Sequence, residues 1–276
     1  MTPELSIVIV SYNARADLER CLASLHQPPP SVTHEIIVID NASSDSSAAA
    51  AREWSDVRVI ESGGNRGFSA GNNIGIRASS GRALLLLNSD TIVPAGAIDG
   101  LMQVLASHPE ATVVGPRLVD GTGRVELSFG SMISPWTELR QQRLMRKLSE
   151  RDAATLANVH ALSRTEHWPD WVTGACLLVR RADAEAAGLL DERYFMYTED
   201  VDFCAAVRAR GGRVLFTPEV EIVHLGGRSR ASAPHATYEA YCNSHLAFYR
   251  KHHPWAVPFL KLYTRLRGRQ SAVSRP

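Results

Sequence analysis

The chain has 276 residues, of which 45% are hydrophobic and 21% are charged. This length and composition predict one α/β domain with an elaborated end and exclude a fibrous or extensively disordered protein. With 30 Lys and Arg residues against 29 Asp and Glu residues, the net charge is +1, which excludes a general attraction to nucleic acid.

The cysteines and the N-terminus indicate a cytoplasmic protein. The four cysteines are widely spaced and include no C-x-x-C pair, which argues against a zinc knuckle and a compact disulfide framework. The first residues, "MTPELSIVIVSYN", lack the basic start and long apolar run of a signal peptide. No apolar stretch of 18 residues occurs, so no membrane span is expected.

Short β-branched runs alternate with helical patterns through the first half of the chain. The order is "LSIVIVSY", "ARADLERCLASL", "HEIIVID", "DSSAAAAREW" and "VRVIES". It predicts a β-α-β-α-β arrangement, because buried parallel strands are continuously apolar and need helical crossovers. A helix is expected from Gly67 to about Ser79, then the strand "RALLLLNSD" and a helix after Pro94.

The second half is less regular. "RLVDGTGRVELSFG" predicts a hairpin, and "PWTELRQQRLMRKLSERDAATLANV" a polar helical insertion that could select an acceptor. A helix around "TEDVDFCAAVRARGG", a strand pair in "RVLFTPEVEIVHLGG" and a final helix over "YEAYCNSHLAFYRKHH" follow. We expect a catalytic domain over residues 1–250, with halves 1–115 and 116–250, and a basic amphipathic tail over residues 251–276.

Polar residues follow three predicted strands at the edge where an open parallel sheet binds ligands. They are Ser11, Tyr12 and Asn13 after the first strand, Asp40 and Asn41 after the second, and Asn88, Ser89 and Asp90 after the fourth. Such residues also form ordinary turns and helix caps. Three successive strands that end this way nevertheless favour a shared binding edge.

The glycine-rich segment "GGNRGFSAGNNIG" matches neither the dinucleotide-binding nor the P-loop pattern. The chain resembles the family 2 glycosyltransferases with the GT-A fold in six segments, which are, in order, "SIVIVSYN", "EIIVIDNASSD", "NRGFSAGNNIGI", "LLLLNSD", "VTGACLLVRR" and "FMYTEDVDFCAAVRARGGRVLFTPEVEIVHLGG". The chain is most similar to their bacterial rhamnosyltransferase branch, over about residues 5–250. This resemblance implies a mostly parallel central sheet flanked by helices, a nucleotide-sugar donor, a divalent metal and inversion at the anomeric carbon.

The resemblance also implies a metal site of Mn²⁺ or Mg²⁺ on the donor diphosphate. Asp90 matches the last acid of the family's D-x-D type motif, and Asn88 replaces the first acid. His224 in "EIVHLGG" is the second expected ligand, because imidazole is a good ligand for such ions. The replacement by Asn88 removes one negative charge, so the affinity for the metal is expected to be lower.

Three acids, Glu199, Asp200 and Asp202, lie at the start of the helix in "YTEDVDFCAAVR". Helix capping would account for one of them. By resemblance, Asp200 deprotonates the acceptor hydroxyl, while Glu199 and Asp202 orient it or bind acceptor hydroxyls.

For the donor base, the resemblance implies stacking on Tyr12 and hydrogen bonding to Asp40, with Arg66 near the ribose or diphosphate. These contacts select a pyrimidine but do not separate UDP from dTDP; dTDP-rhamnose is the expected donor. The expected acceptor is a cell-surface glycan or a lipid-linked glycan.

The C-terminal tail mixes aromatic and basic residues in "PWAVPFLKLYTRLRGRQ", which predicts peripheral contact with the inner face of the cell membrane. The residues concerned are Trp255, Phe259, Leu260, Leu262 and Tyr263 with Lys261, Arg265, Arg267 and Arg269. A helix docked on the protein itself, or on a second subunit, would show the same pattern, and Pro254 and Pro258 interrupt it.

Two other functions fit parts of the sequence. A sugar nucleotidyltransferase would carry a glycine-rich basic signature after the first strand, where this chain has "SYNARADLERC". A non-catalytic module that binds nucleotide or glycan would account for Asn88, but not for the joint presence of Asp90, Asp200 and His224.

Overall fold

The computed structural model describes residues 2–150, 152–226 and 234–262. Its first half alternates strands and helices as the sequence predicts, because each apolar run is followed by an amphipathic or small-residue helix. The elements are β1 (Leu5–Ser11), α1 (Arg15–Leu25), β2 (His34–Asp40), α2 (Ser47–Arg52), β3 (Val57–Glu61), α3 (Gly67–Ala78) and β4 (Ala83–Asn88).

The second half adds short strands and longer helices around the same sheet. The elements are β5 (Thr91–Ile92), α4 (Ala97–Ser107), β6 (Ala111–Val119), β7 (Val125–Glu126), β8 (Phe129–Gly130), α5 (Pro135–Ser149), α6 (Ala153–Leu162), β9 (Trp171–Val172), β10 (Cys176–Arg180), α7 (Arg181–Ala186), α8 (Glu199–Ala209), β11 (Arg213–His224), α9 (Pro234–His252) and a 3-10 helix (Pro254–Ala256).

The central sheet has the strand order β3-β2-β1-β4-β10-β6-β11-β5, and β7 pairs with β6. Strands β3, β2, β1 and β4 are parallel, whereas β10 is antiparallel to both β4 and β6. Strand β8 pairs with β9 in a separate small sheet. Apart from β10 and the short strands, the sheet is therefore parallel, as expected.

The four leucines of β4 are buried on both faces of the sheet. Leu85 and Leu87 belong to one hydrophobic core, and Leu84 and Leu86 to the other, because side chains alternate along a strand. Helices therefore cover both faces, which explains why β4 is continuously apolar.

The expected strand pair in "RVLFTPEVEIVHLGG" is wrong, because this segment forms the single strand β11. Its parallel register with β6 shifts between Thr217 and Glu221, which face Pro116 and Arg117. Pro218 lies in this bulge, where its missing N–H removes no ladder hydrogen bond. The bulge lets one strand continue to the predicted site at its end.

Neither expected domain boundary coincides with a break in the fold. Position 115 lies inside β6, so the two halves share the sheet, and position 250 lies inside α9. The first residues of the expected tail, Lys251 and His252, both contact the carboxylate of Asp202. Within the described ranges, no helix is long and apolar enough to cross a membrane.

Candidate active site

The carboxyl ends of β1, β2 and β4 bring the predicted polar residues to one edge of the sheet. In the parallel registers, Ser11 faces Asp40 and Val10 faces Asn88. The residues that follow these strands therefore meet at the edge where open α/β sheets bind ligands.

Asp40 has a buried carboxylate oxygen that no other described group satisfies. Its side chain is 4% exposed, and Oδ2 accepts a hydrogen bond from the backbone N–H of Ser43 at 3.2 Å, whereas Oδ1 has no partner. The adjacent Ser11 Oγ is also buried and unpaired among the described residues. A buried acceptor without a donor costs about 1–3 kcal/mol, and a ligand N–H would satisfy it.

Tyr12 and Asn13 directly follow Ser11, the residue of β1 that faces Asp40. Tyr12 is 49% exposed, so much of its side chain is accessible to a ligand. The side-chain oxygen of Asn13 accepts hydrogen bonds from the backbone N–H of Ser44 at 2.7 Å and from its hydroxyl at 3.2 Å. Asn13 therefore shapes the loop after β2 through its side chain.

Asn41 organises the loop between β3 and α3. Its amide donates to Asn65 and to the carbonyl of Gly67, both at 3.1 Å, and its oxygen accepts from Ser62 and from the backbone N–H of Arg66. All these contacts are internal, so Asn41 positions the loop that carries Arg66. The exposed guanidinium of Arg66 donates through Nε to the carbonyl of Ser62 at 2.8 Å.

The first residues of α3 are joined directly to the segment before α8. The backbone N–H of Phe68 donates to the carbonyl of Phe195 at 2.6 Å. Gly67 has a φ of +84°, and a Cβ at this position would lie 2.2 Å from the same carbonyl oxygen. Only glycine therefore fits this junction without displacing the backbone.

Asp90 and His224 lie in contact, although they are far apart in the sequence. His224 Nε2 is 3.3 Å from Asp90 Oδ1, and the Asn88 amide nitrogen is 3.4 Å from the same ring nitrogen. The contact follows from the antiparallel pairing of β11 with β5, in which His224 faces Thr91. All three predicted residues thus converge on one point.

Glu126 of β7 holds the other side of the His224 ring. Its Oε2 lies 2.8 Å from Nδ1, so Nε2 is turned toward Asp90. Burial lowers the pKa of His224, but the hydrogen bonds to Asp90 and Glu126 and their charges outweigh burial and raise that pKa to about 9. A carboxylate on the second ring nitrogen is the usual support of a metal-binding histidine.

The donor set at this point fits a divalent metal that also binds substrate phosphates. Asp90 offers a carboxylate, His224 an imidazole nitrogen and Asn88 an amide oxygen, all partly accessible. The described residues contain no group of three or more His, Cys, Asp and Glu side chains that could hold a metal by themselves. A metal here would therefore need ligands from the donor.

Asp200 lies at the start of α8 and is held by backbone N–H groups. Oδ2 accepts from Gly174 at 2.9 Å and Oδ1 accepts from Val201 at 2.8 Å. Burial raises the pKa of Asp200, although these hydrogen bonds oppose the shift. Tyr197 and Thr198, just before α8, both have a φ near +70° (+69° and +71°), a strained backbone that turns the chain into this position.

Glu199 and Asp202 have different environments from Asp200. Glu199 is 6% exposed, its Oε2 has no partner among the described groups, and burial, followed by the charge of Asp200, raises its pKa well above the usual value. Both oxygens of the buried Asp202 already accept hydrogen bonds from Tyr194, Lys251 and His252. Asp202 therefore joins α8 to α9, and its contacts leave the expected acceptor role without support.

Comparison with known proteins assigns the family. Residues 6–165, more than half of the chain, match the family model described as glycosyl transferase family 2. The chain belongs to glycosyltransferase family 2. It is 30% identical over 293 aligned positions to N-acetylglucosaminyl-diphospho-decaprenol L-rhamnosyltransferase of Mycobacterium tuberculosis, which covers 94% of this chain and 88% of the relative.

Other similarities agree with a glycosyltransferase of the GT-A fold. A low-salt glycan biosynthesis hexosyltransferase of Haloferax volcanii is 28% identical over 81% of this family 2 chain and 68% of its own length. The structure of a Pyrobaculum calidifontis mannosyltransferase in complex with GDP-Man and Mn²⁺ has a TM-score of 0.62 at 18% identity, covering 95% of this chain and 69% of the other. The predicted enzyme class and fold are confirmed.

Proposed function

We propose that this family 2 glycosyltransferase moves L-rhamnose from dTDP-rhamnose to a hydroxyl of a lipid-linked cell-surface glycan, with a divalent metal and inversion of the anomeric carbon. The support for rhamnose and for a lipid-linked acceptor is the name of the Mycobacterium tuberculosis relative, which aligns over most of both chains. Family membership favours this function over a nucleotidyltransferase.

The main support for the donor assignment is the buried, unpartnered Oδ1 of Asp40 at the end of β2, next to the end of β1 that the exposed Tyr12 follows. A thymine or uracil ring has a flat face that can stack on the tyrosine and an N3–H that can donate to this oxygen. A guanine would present a different edge. The arrangement therefore supports a pyrimidine nucleotide.

Asn88, Asp90 and His224 would hold the metal, and Ser89 and Arg66 would lie near the diphosphate. The metal, when bound, neutralises the charge that develops on the departing nucleoside diphosphate. Glu126 keeps the Nε2 atom of His224 directed toward Asp90.

Asp200 is the proposed general base. Burial raises its pKa, which makes the carboxylate a stronger proton acceptor than an exposed aspartate while backbone N–H groups keep it oriented. The proton of the acceptor hydroxyl would pass to Asp200 as the oxygen attacks the anomeric carbon from the face opposite the diphosphate. Inversion of configuration follows from this single displacement.

The proposed membrane contact of the tail is supported by the described residues up to Leu262. Trp255, Phe259 and Leu262 are exposed by 61%, 69% and 57%. Leu260 instead packs beside the buried Ala256, so part of this segment docks on the protein. The expected contacts of Tyr263, Arg265, Arg267 and Arg269 lie outside the described residues.

A nucleotide panel tests the donor proposal. We expect dTDP and UDP to raise the melting temperature in the presence of Mn²⁺, GDP to have no effect, and dTDP-rhamnose to be consumed fastest. In Asp40→Asn, the amide oxygen keeps the Ser43 contact, so its NH₂ would face the N3–H and remove the dTDP shift. A shift with GDP alone would overturn the pyrimidine assignment.

Nuclear magnetic resonance of the product tests the stereochemistry. The new bond should have the anomeric configuration opposite to that of the donor. Retention would exclude single displacement by an acceptor that Asp200 deprotonates.

A further inference from the structure

Helix α5 exposes large apolar side chains to solvent. Trp136 is 72% exposed and Leu139 is 51% exposed, although α5 lies against the rest of the protein through other residues. Large apolar side chains that share one exposed helix face leave apolar area that a partner can bury.

These apolar residues share one face of α5 with all of its basic residues. At 3.6 residues per turn, six side chains fall within about 120° of the helix circumference. All six are exposed; they are Trp136, Leu139, Arg140, Arg143, Arg146 and Lys147. We call them the basic aromatic face.

The only acid within α5 lies on the opposite side of the helix. Glu138 contacts His245 and accepts a hydrogen bond from the Tyr249 hydroxyl, and both partners belong to α9. The basic aromatic face therefore carries four basic side chains and no acid of α5. Arg146 lies 3.8 Å from Glu150, just after the helix, so Arg140, Arg143 and Lys147 contribute most of the positive charge of the face. Its field favours an anionic partner.

The basic aromatic face adjoins the C-terminal segment. The ring of His253 lies 2.8 Å from the carbonyl of Ile133, two residues before α5, and Ile133 packs in the same cluster as Ala256. The exposed Trp255 and Phe259 are thus carried by a segment docked at the start of α5, where Trp136 also lies. Two segments that meet at Ile133 therefore each expose apolar side chains.

We propose that the basic aromatic face of α5 binds the surface of an anionic lipid bilayer, with Trp136 and Leu139 in the headgroup region and the arginines at lipid phosphates. Exposed aromatic and basic side chains on one helix face are the pattern of an interfacial helix. The inference rests on the proposed function in one respect: a lipid-linked acceptor would place the substrate at this surface. It makes α5, rather than the C-terminal residues alone, a membrane-binding element.

Vesicle co-sedimentation of the full chain tests this proposal. Vesicles of phosphatidylglycerol and phosphatidylcholine in equal parts are compared with vesicles of phosphatidylcholine alone. Each basic residue at an anionic surface contributes about 1 kcal/mol, so the double variant Arg140→Gln, Arg143→Gln should lower the partition coefficient about 30-fold. The matched control, Arg82→Gln with Arg210→Gln, removes two exposed charges elsewhere and should leave partition unchanged.

Trp136→Ala separates apolar insertion from charge. This variant should lower partition onto both kinds of vesicle, because it removes the side chain that enters the headgroup region. The substituted residues are exposed, so melting temperatures should stay at the wild-type value and show that the variants fold.

The possible outcomes distinguish this inference from the proposed function. Loss of vesicle binding with unchanged transfer to a water-soluble acceptor supports the membrane role of α5. Equal partition of the α5 and control variants overturns it, whether or not transfer occurs. Unchanged partition with a dimer that dissociates in Trp136→Ala would also overturn it, because a second copy would then cover the face.

Discussion

The substitution Asp200→Asn tests the proposed base most directly. The carboxylate accepts one backbone hydrogen bond on each oxygen, from Gly174 and Val201, whereas an asparagine can keep only one of them. The lost contact costs about 1–3 kcal/mol in the free energy of unfolding, partly offset because a partly buried charge is removed. Turnover should fall by roughly 10²-fold to 10⁴-fold, because no group accepts the proton, while donor binding stays nearly unchanged.

Glu199→Gln is the matched control, because Glu199 lies next to Asp200 in the sequence and its buried Oε2 has no partner among the described residues. Burial and the charge of Asp200 raise the pKa of Glu199 well above its usual value and favour the neutral acid, which glutamine imitates in shape and charge. We expect turnover to change by less than about 10-fold, since proton transfer to Asp200 is retained.

The same contrast appears in the pH dependence of stability. A raised folded pKa means that the folded state binds more protons, so the stability of the wild type falls as pH rises from the unfolded pKa of Glu199 toward its folded pKa. Glu199→Gln removes this loss, and the variant should gain stability relative to the wild type with rising pH. Urea unfolding measures the difference at two pH values. One is about pH 4, near the pKa of a glutamate in an unfolded chain, and the other is about pH 8.

Steady-state transfer and donor calorimetry on both variants complete the experiment. Burial raises the pKa of Asp200. As the pH is lowered, the wild-type enzyme should therefore lose activity at a higher pH than an enzyme whose base is an exposed aspartate. A Glu199→Gln enzyme that is inactive, beside an Asp200→Asn enzyme with near-normal turnover, would refute the assignment and make Glu199 the base.

The remaining predictions concern the metal site and one glycine. Asp90→Ala and His224→Ala should each weaken Mn²⁺-dependent nucleotide binding in calorimetry. Their effects should not add, because the two side chains are in contact and would bind the same ion. Full activity in EDTA would contradict this prediction. Glu126→Gln should weaken Mn²⁺ binding about 10-fold or more through the His224 ring, and unchanged affinity would exclude this supporting role. Gly67→Ala should lower the free energy of unfolding by about 1–3 kcal/mol, because φ is +84° and the Cβ would meet Phe195; a wild-type urea midpoint would be the contrary result.

Local patterns sufficed to predict much of the fold. Helix α3 begins at Gly67 as expected, and the strand in "RALLLLNSD" is β4. Periodicity and turn residues carry this information within a short window. The sequence predicts two strands around Pro218, because a proline usually ends a strand. The pairing with β6 shows instead that a bulge accommodates the proline within one strand.

The sequence does not predict the parts of the candidate site that depend on contacts between distant segments. The sequence near Glu126 does not predict its contact with His224. This contact forms because β7 and β11 each pair with β6, on opposite sides of it. Asp202 lies two residues after Asp200, yet its carboxylate faces Lys251 and His252. Spacing along a helix does not reveal which acid is already bound by a later helix.

The position of β10 between β4 and β6 has a consequence for synthesis on the ribosome. Until residue 180 has emerged, the leucine-rich β4 has no neighbour on one side, so its backbone N–H and C=O groups form an open edge. An apolar strand with an open edge pairs readily with other chains. A fragment that ends at residue 115 should therefore aggregate instead of forming an independent nucleotide-binding unit, and a nascent chain of that length would need a chaperone.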